Sequence, residues 1–379
     1  MFKSAEKDYP DILPVLTSLR FWAAFAVAFQ HCCMLILENA APDLTTQVPI
    51  ISKLYLGVDF FFILSGFVLT HVYLEKLRHK TLSVRGFYVK RIARIYPAYL
   101  CAFVIALTQL TTFSALGITD PPDPSLSIST ILLYLFCFHA WWDFHLTTIN
   151  GPSWSISVEW FAYLVFPLLL ILYNRTSLYV GAFITLLALA ACWLVASGEV
   201  GQPLTRLDFD FGILRIIPEF MGGIWLYKFG KKYELRYFDL KAFCALTALM
   251  LGLMFFLAGD FWIVLTFSAF IFLGAEQARQ NYHWSLCSGN ALYLGEISYS
   301  VYLLHIPLLE ITLSLMKLGH FSDDTQMALL FLALLAVLPA AMLSYALIET
   351  PMRRSINKRF GQQTENNKTE KTGLNPPVP

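Results

Sequence analysis

Charge is scarce in this sequence, and that scarcity decides its class. Asp, Glu, Lys and Arg make up 14% of the 379 residues, against 57% hydrophobic residues, and the mean hydropathy is +0.59. A typical soluble domain carries about 25% charge, so these figures exclude a water-soluble globule and indicate an integral membrane protein of many spans. The formal net charge is only +1, which leaves no basic surface for nucleic acid. The seven cysteines (Cys32, Cys33, Cys101, Cys137, Cys192, Cys244, Cys287) show no CxxC spacing and lie mostly in apolar runs. They read as small buried hydrophobes, not as a disulfide frame or a metal site, and Cys33 beside His31 reads the same way. No solenoid-type repeat is visible. The G-x-S-x-G elbow is missing around Ser65, whose LSGF context reads as close helix packing through Ser-Gly. Lys3 and Lys7 precede an apolar run without a small-residue cleavage site, so the run reads as a retained first span.

Ten apolar runs are long enough to span: 15–37, 54–74, 92–113, 154–173, 177–197, 211–229, 240–258, 261–278, 291–316 and 325–348. An eleventh, 128–142, is shorter and runs into Asp143, His145 and a Gly151-Pro152 break. Charge settles its status. If 128–142 does not cross, one side of the membrane collects Lys76, Arg78, Lys80, Arg85, Lys90, Arg91, Lys228, Lys231, Lys232, Arg236, Arg353, Arg354, Lys358 and Arg359. The other side keeps little beyond Lys53, Arg206 and Lys317. That is the positive-inside pattern with both termini cytoplasmic. The expected fold is therefore all-α and polytopic, with about ten transmembrane helices and a re-entrant or surface segment near 128–142. Residues 1–14 form a cytoplasmic N-terminus, 15–354 the membrane domain, and 355–379 a polar, Pro-tailed segment expected to be disordered.

Within the first span, Arg20 and His31 are separated by ten residues. Eleven steps of 100° bring both side chains to one helix face, about 16 Å apart. Counting from span ends puts His31, Asp59, Glu159, Arg215 and Glu219 in one outer-leaflet layer. Ionisable groups in a bilayer are expensive and face one another or water, and an imidazole near a carboxylate is the arrangement of a general base. Arg20, Arg91 and Arg94 form a second layer at the cytoplasmic side. Arg91 and Arg94, at i and i+3, suit a phosphate or diphosphate, because guanidinium forks bind such oxygens in pairs. The basic loop residues and Lys90 read as ordinary anchoring. A donor held by phosphates at one layer and reacting at the other, some 15 Å away, fits a nucleotide with a long flexible arm such as acyl-coenzyme A.

Seven segments in order resemble the integral-membrane acyltransferase family 3, whose members O-acylate bacterial surface polysaccharides and related acceptors. They are LTSLRFWAAFAVAFQH with Arg20 and His31; GVDFFFILSGFVLT with Asp59, Ser65, Gly66 and Phe67; FYVKRIARIYPAYL with Arg91, Arg94, Tyr96 and Pro97; PSWSISVEWFAYLVFP with Trp154, Ser155 and Glu159; RIIPEFMGGIWL with Arg215, Glu219, Phe220 and Gly223; GEISYSVYLLHIPLL with Ser298, Tyr299, Tyr302, His305 and Pro307; and IETPMRR with Glu349, Pro351 and Arg353. The resemblance covers about residues 11–354. It implies a membrane O-acyltransferase moving an acyl group, most often acetyl, from cytoplasmic acyl-coenzyme A to a hydroxyl of a glycan or lipid-linked glycan across a bacterial inner membrane. No permanently bound cofactor is implied. His31 would be the catalytic base or a transient acyl carrier. Asp59 or Glu159 would orient it or contact the acceptor, and Arg20, Arg91 and Arg94 would hold the coenzyme A. Trp154, Arg215, Tyr302 and His305 are candidates for the substrate side, His305 equally for a core histidine. Many members add an extracytoplasmic esterase-like domain, and the expectation here is a stand-alone form.

A different class of function uses the same residues: a proton-coupled transporter or flippase could relay protons through Asp59, Glu159 and His31. The absence of an inverted repeat and the two fixed charge layers speak against it. His139, His145, Trp141 and Trp142 read as an interfacial belt, with a sugar-stacking role as a secondary expectation. Glu349 and Arg353, at i and i+4, are expected to tie the last span to the basic face.

Overall fold

The computed structural model of the chain describes residues 2–39, 49–121, 126–319 and 321–361. A backbone in hydrocarbon must satisfy its own hydrogen bonds, so long apolar runs become helices. The ten predicted runs coincide with α1 (Pro14–Asn39), α2 (Gly57–Arg78), α3 (Val84–Ala115), α5 (Ser153–Arg175), α6 (Leu178–Val195), α7 (Gly212–Lys232), α8 (Leu240–Phe255), α9 (Asp260–Arg279), α10 (Gly289–Met316) and α11 (Asp323–Ser344). Among the described residues, eight helical spans are long and apolar enough to cross a membrane. The remaining two are α7, which carries Arg215, Glu219 and three lysines, and α8, which has only 16 residues. Serines start several helices by accepting a hydrogen bond from a backbone N–H in the first turn, as Ser83 Oγ does from Gly86 at 3.1 Å and Ser177 Oγ from Val180 at 3.2 Å.

The segment near 128–142 does not cross. Its only helix, α4 (Ile128–Leu135), has eight residues, about 12 Å against a core of roughly 30 Å. The chain then folds back onto the start of α5, where Trp141 Nε1 donates to the Ser157 carbonyl at 2.9 Å and Ser157 Oγ to that of Cys137 at 2.9 Å. His139 is not part of an exposed aromatic belt. It is buried, stacked on Tyr134 with centroids 3.9 Å apart, and 3.1 Å from Ser153 Oγ. Trp142 is exposed.

Contacts between helix ends confirm the parity. On the basic face, β1 (Phe2–Ser4) pairs antiparallel with β2 (Tyr233–Leu235), Lys231 Nζ lies 2.5 Å from Asp8, and Arg78 Nε donates to Asn174 at 3.1 Å. On the opposite face, Asp260 joins Lys53 Nζ at 2.5 Å, Thr205 Oγ1 at 2.6 Å and the Tyr55 hydroxyl. Past Ser344, α11 widens into a π-helical turn, Tyr345–Glu349, and continues as α12 (Thr350–Ile356). Residues 355–361 are still helical; the rest of the tail expected to be disordered lies outside the described residues.

Glycines bring helix pairs to backbone distance. A Cβ on Gly66 would strike the Phe220 carbonyl, and one on Gly223 the Ile63 carbonyl, so α2 and α7 lock through these two glycines. Gly295 of α10 meets the Thr17 carbonyl of α1 in the same way. Pro307 cannot donate to the Leu303 carbonyl, and Asn150 Nδ2 fills that vacancy at 3.1 Å, pinning the folded-back segment to α10.

Candidate active site

Between α1, α2, α3, α5 and α10 lies a cavity with about 860 Å³ of empty space, its open mouth included. Its wall on α2 runs from Val58 to Leu69, about 16 Å of helix. Arg20, Arg91, Arg94 and Glu159 all line it, with Ser65, Tyr163 and Tyr302. The three arginines are not equivalent. Arg94 is ion-paired to the buried Glu349, which the π-turn at the end of α11 turns inward, and Arg353 Nη1 lies 3.8 Å from the same carboxylate. Among the described residues neither Arg20 nor Arg91 has a carboxylate within 4 Å. Arg91 Nε is buried without a hydrogen-bond partner, and its guanidinium faces the Tyr163 ring at 5.7 Å. A guanidinium with an orphaned Nε lining such a cavity is a donor that a phosphate oxygen can satisfy. Arg20 and Arg91 thus fit the phosphates of a nucleotide; Arg94 is already partly satisfied.

Glu159 belongs to this cavity, not to the surroundings of His31. Its Oε1 accepts from Ser65 Oγ and from the Tyr163 hydroxyl, each at 2.6 Å. Ser65, read from sequence as packing, therefore holds a carboxylate, and the packing role falls to its neighbour Gly66. Tyr163 was not singled out. Tyr163 lies four residues after Glu159, one turn away on the same face, a spacing that could have marked it. Ser155 Oγ sits 2.9 Å from the Tyr302 hydroxyl.

His31 stands beyond the far end of the cavity. Its Nδ1 lies 3.0 Å from Nε2 of His305, with ring centroids 5.1 Å apart. The Tyr302 ring, which lines the cavity, packs on His305 at 5.8 Å. The partner of His31 is thus a second imidazole, not the expected carboxylate.

Asp59 is occupied elsewhere. Arg215 Nη2 and Nε reach its two oxygens at 2.6 and 3.1 Å, and the pair is sealed, Asp59 at 0% and Arg215 at 2% exposure. Arg215 also donates to the Leu207 carbonyl at 3.2 Å, and the rings of Trp154 and Tyr55 lie 5.2 and 5.6 Å from its guanidinium. With Nε, Nη1 and Nη2 each engaged and the group sealed from solvent, Arg215 is held by Asp59 and not presented to the cavity, and Trp154 is its buried support. Both were expected on the substrate side. The reason is azimuth: Asp59 and Gly66 are seven residues apart and share a face, so the side of α2 that locks onto α7 also delivers Asp59 to Arg215. No cluster of three or more His, Cys, Asp or Glu able to hold a metal exists among the described residues.

Residues 14–347 match the model of a family described as an acyltransferase domain. The chain is 25% identical over 391 residues to O-acetyltransferase OatA of Staphylococcus aureus (strain NCTC 8325 / PS 47), covering 95% of this chain and 60% of that one. It is 28% identical over 373 residues to acyltransferase MdmB of Streptomyces mycarofaciens, covering 92% of this chain and 93% of that one. The chain thus spans 60% of the length of OatA. No solved structure matches it.

Proposed function

The chain belongs to this acyltransferase-domain family and is a multi-pass membrane enzyme, and from that premise we propose that it carries an acyl group, most simply acetyl, from acyl-coenzyme A to a hydroxyl of a glycan or lipid-linked glycan across a bacterial inner membrane. The observation that carries the reading is the cavity in which, among the described residues, Arg20 and Arg91 have no carboxylate within 4 Å while Tyr302 leads to the His31–His305 pair. The diphosphate of the donor binds at Arg20 and Arg91, with Arg94 beside them. Glu159, held by Ser65 and Tyr163, is set to accept hydrogen bonds from the amide N–H groups of the donor's arm. The thioester then lies toward Tyr302 and the two imidazoles.

His31 takes the proton of the acceptor hydroxyl as its oxygen attacks the thioester carbonyl. The C–S bond breaks, and the thiolate leaves with the proton from His31. The same atoms allow a two-step route in which His31 itself takes the acyl group first and passes it on. The positive-inside bias supports the donor on the cytoplasmic side, because the open arginines belong to the basic half of the bundle.

The test is acetyl-coenzyme A binding to the purified protein in detergent. Arg91→Ala and Arg20→Ala are expected to weaken binding about tenfold or more each, and His31→Ala to leave it within about twofold. Unchanged binding in both arginine variants, or no binding by the folded wild type to acetyl- or longer acyl-coenzyme A, would overturn the reading.

A further inference from the structure

Two histidines facing each other inside a membrane domain are an unusual choice of partners, since neither brings a fixed charge. His305 is 0% exposed. Its Nδ1 is sealed from solvent with no hydrogen-bond partner among the described residues, and the backbone groups beside that ring are the carbonyls of Val301 and Tyr302, one turn back. A helical side chain leans toward the turn before it, so Nδ1 is the nitrogen that meets them. Carbonyl oxygens only accept, and they favour a proton on Nδ1. A neutral imidazole has one N–H, so Nε2 of His305 is left as a bare acceptor. That acceptor lies 3.0 Å from Nδ1 of His31. The Val27 carbonyl, one turn back on α1, faces the His31 ring as well. Two acceptors therefore face the His31 ring.

We propose that His305 is a positioning residue that holds the proton of His31 on Nδ1, so that Nε2 of His31 carries the lone pair used in acyl transfer. The inference rests on the acyl-transfer reading for its purpose. It applies to both routes, since a base and an acyl carrier each need a bare nitrogen. When Nε2 takes the hydroxyl proton, the resulting imidazolium keeps its Nδ1–H bond to His305, and the proton returns from Nε2 to the departing thiolate. His305 never changes its own protonation. The pairing also explains why the site needs no carboxylate at His31: the two helix-backbone turns and the second ring set the tautomer that an Asp would set elsewhere. Packing makes the arrangement rigid, because Gly295 seats α10 on α1 at the Thr17 carbonyl.

The experiment is ¹⁵N-histidine labelling of the full chain in detergent, with the His31 signals identified by their loss in His31→Ala. In wild type the expected result is a pyrrole-like Nδ1 and a pyridine-like Nε2. Free neutral imidazole side chains prefer the reverse, so the readout is not a default. His305→Gln, whose side-chain oxygen can accept from His31 Nδ1, should keep that pattern; His305→Leu should lose it. The same variants are assayed for thiol release from acetyl-coenzyme A with water as acceptor. His305→Leu is expected to lower kcat about tenfold or more with KM for acetyl-coenzyme A unchanged, and His305→Gln to restore it to within about threefold. A proton on Nε2 of His31 in wild type overturns the proposal, as does a His305→Leu protein with unchanged kcat. If wild type released no thiol, the transferase reading would fail while the tautomer would still be read directly.

Discussion

The Asp59–Arg215 pair offers the sharpest test of how this protein uses its buried charges. Arg215→Met removes the guanidinium and strands Asp59, whose described polar neighbours are Arg215 and Glu219. Breaking one side of a sealed ion pair costs about 3–5 kcal/mol. Asp59→Leu is milder, because Arg215 keeps the Leu207 carbonyl and the rings of Trp154 and Tyr55. Those contacts retain about 1–2 kcal/mol for a desolvated cation, so the expected loss is roughly 2 kcal/mol. The double variant, with apolar side chains of similar volume, should recover most of both, giving a coupling of about 4 kcal/mol. The assay is thermal unfolding of the purified protein in one detergent. Arg215→Met should fall by about 5–10 °C, Asp59→Leu by less, and the double variant should return near wild type. Arg215→Met with a wild-type midpoint and a raised KM for the acceptor would refute the reasoning and restore Arg215 to the substrate side.

Three further outcomes follow from the packing. Gly66→Ala or Gly223→Ala drives a Cβ into the carbonyl of Phe220 or Ile63 and should cost about 3 kcal/mol, whereas Gly222→Ala, with nothing within 4 Å, should unfold like wild type; equal midpoints for all three would sink the close-approach argument. Ser65→Ala removes one of two hydrogen bonds to Glu159 Oε1 and should cost about 1–2 kcal/mol while weakening acetyl-coenzyme A binding, which calorimetry can check. Burial pushes His139 down from 6.5 to about 3, so its contribution is complete above pH 6.5 and lost as pH falls toward 3. Wild type should therefore lose about 2 kcal/mol more than His139→Phe between pH 7.5 and 5; parallel stability curves would contradict the buried placement.

Much of the candidate site was legible because depth in a membrane is a one-dimensional quantity. Arg20, Arg91 and Arg94 belong to one end of their helices and His31 to the other, and counting residues suffices to say so. Counting gave Glu159 a depth but not an azimuth. Its helix turns it toward Ser65 and Tyr163, and the cavity reaches from the arginines up to its level. Spacing could have helped more than it did. Ser298, Tyr302 and His305 share a stripe on α10, and Asp59 shares one with Gly66, so the glycine marks the face that meets a neighbouring backbone.

The sequence by itself determined the hydrophobic spans, the parity that keeps 128–142 on one side, and the shared face of Arg20 and His31. Each depends only on residues near one another along the chain, through helical period, span length and loop charge. Only the tertiary structure decided partners: His305 for His31, Arg215 for Asp59, Glu349 for Arg94 and, among the described residues, none for Arg91 Nε. Those choices depend on the azimuth of one helix against another. That azimuth is fixed by side-chain volume and by glycines at backbone contact between segments as much as 278 residues apart, Thr17 and Gly295 among them.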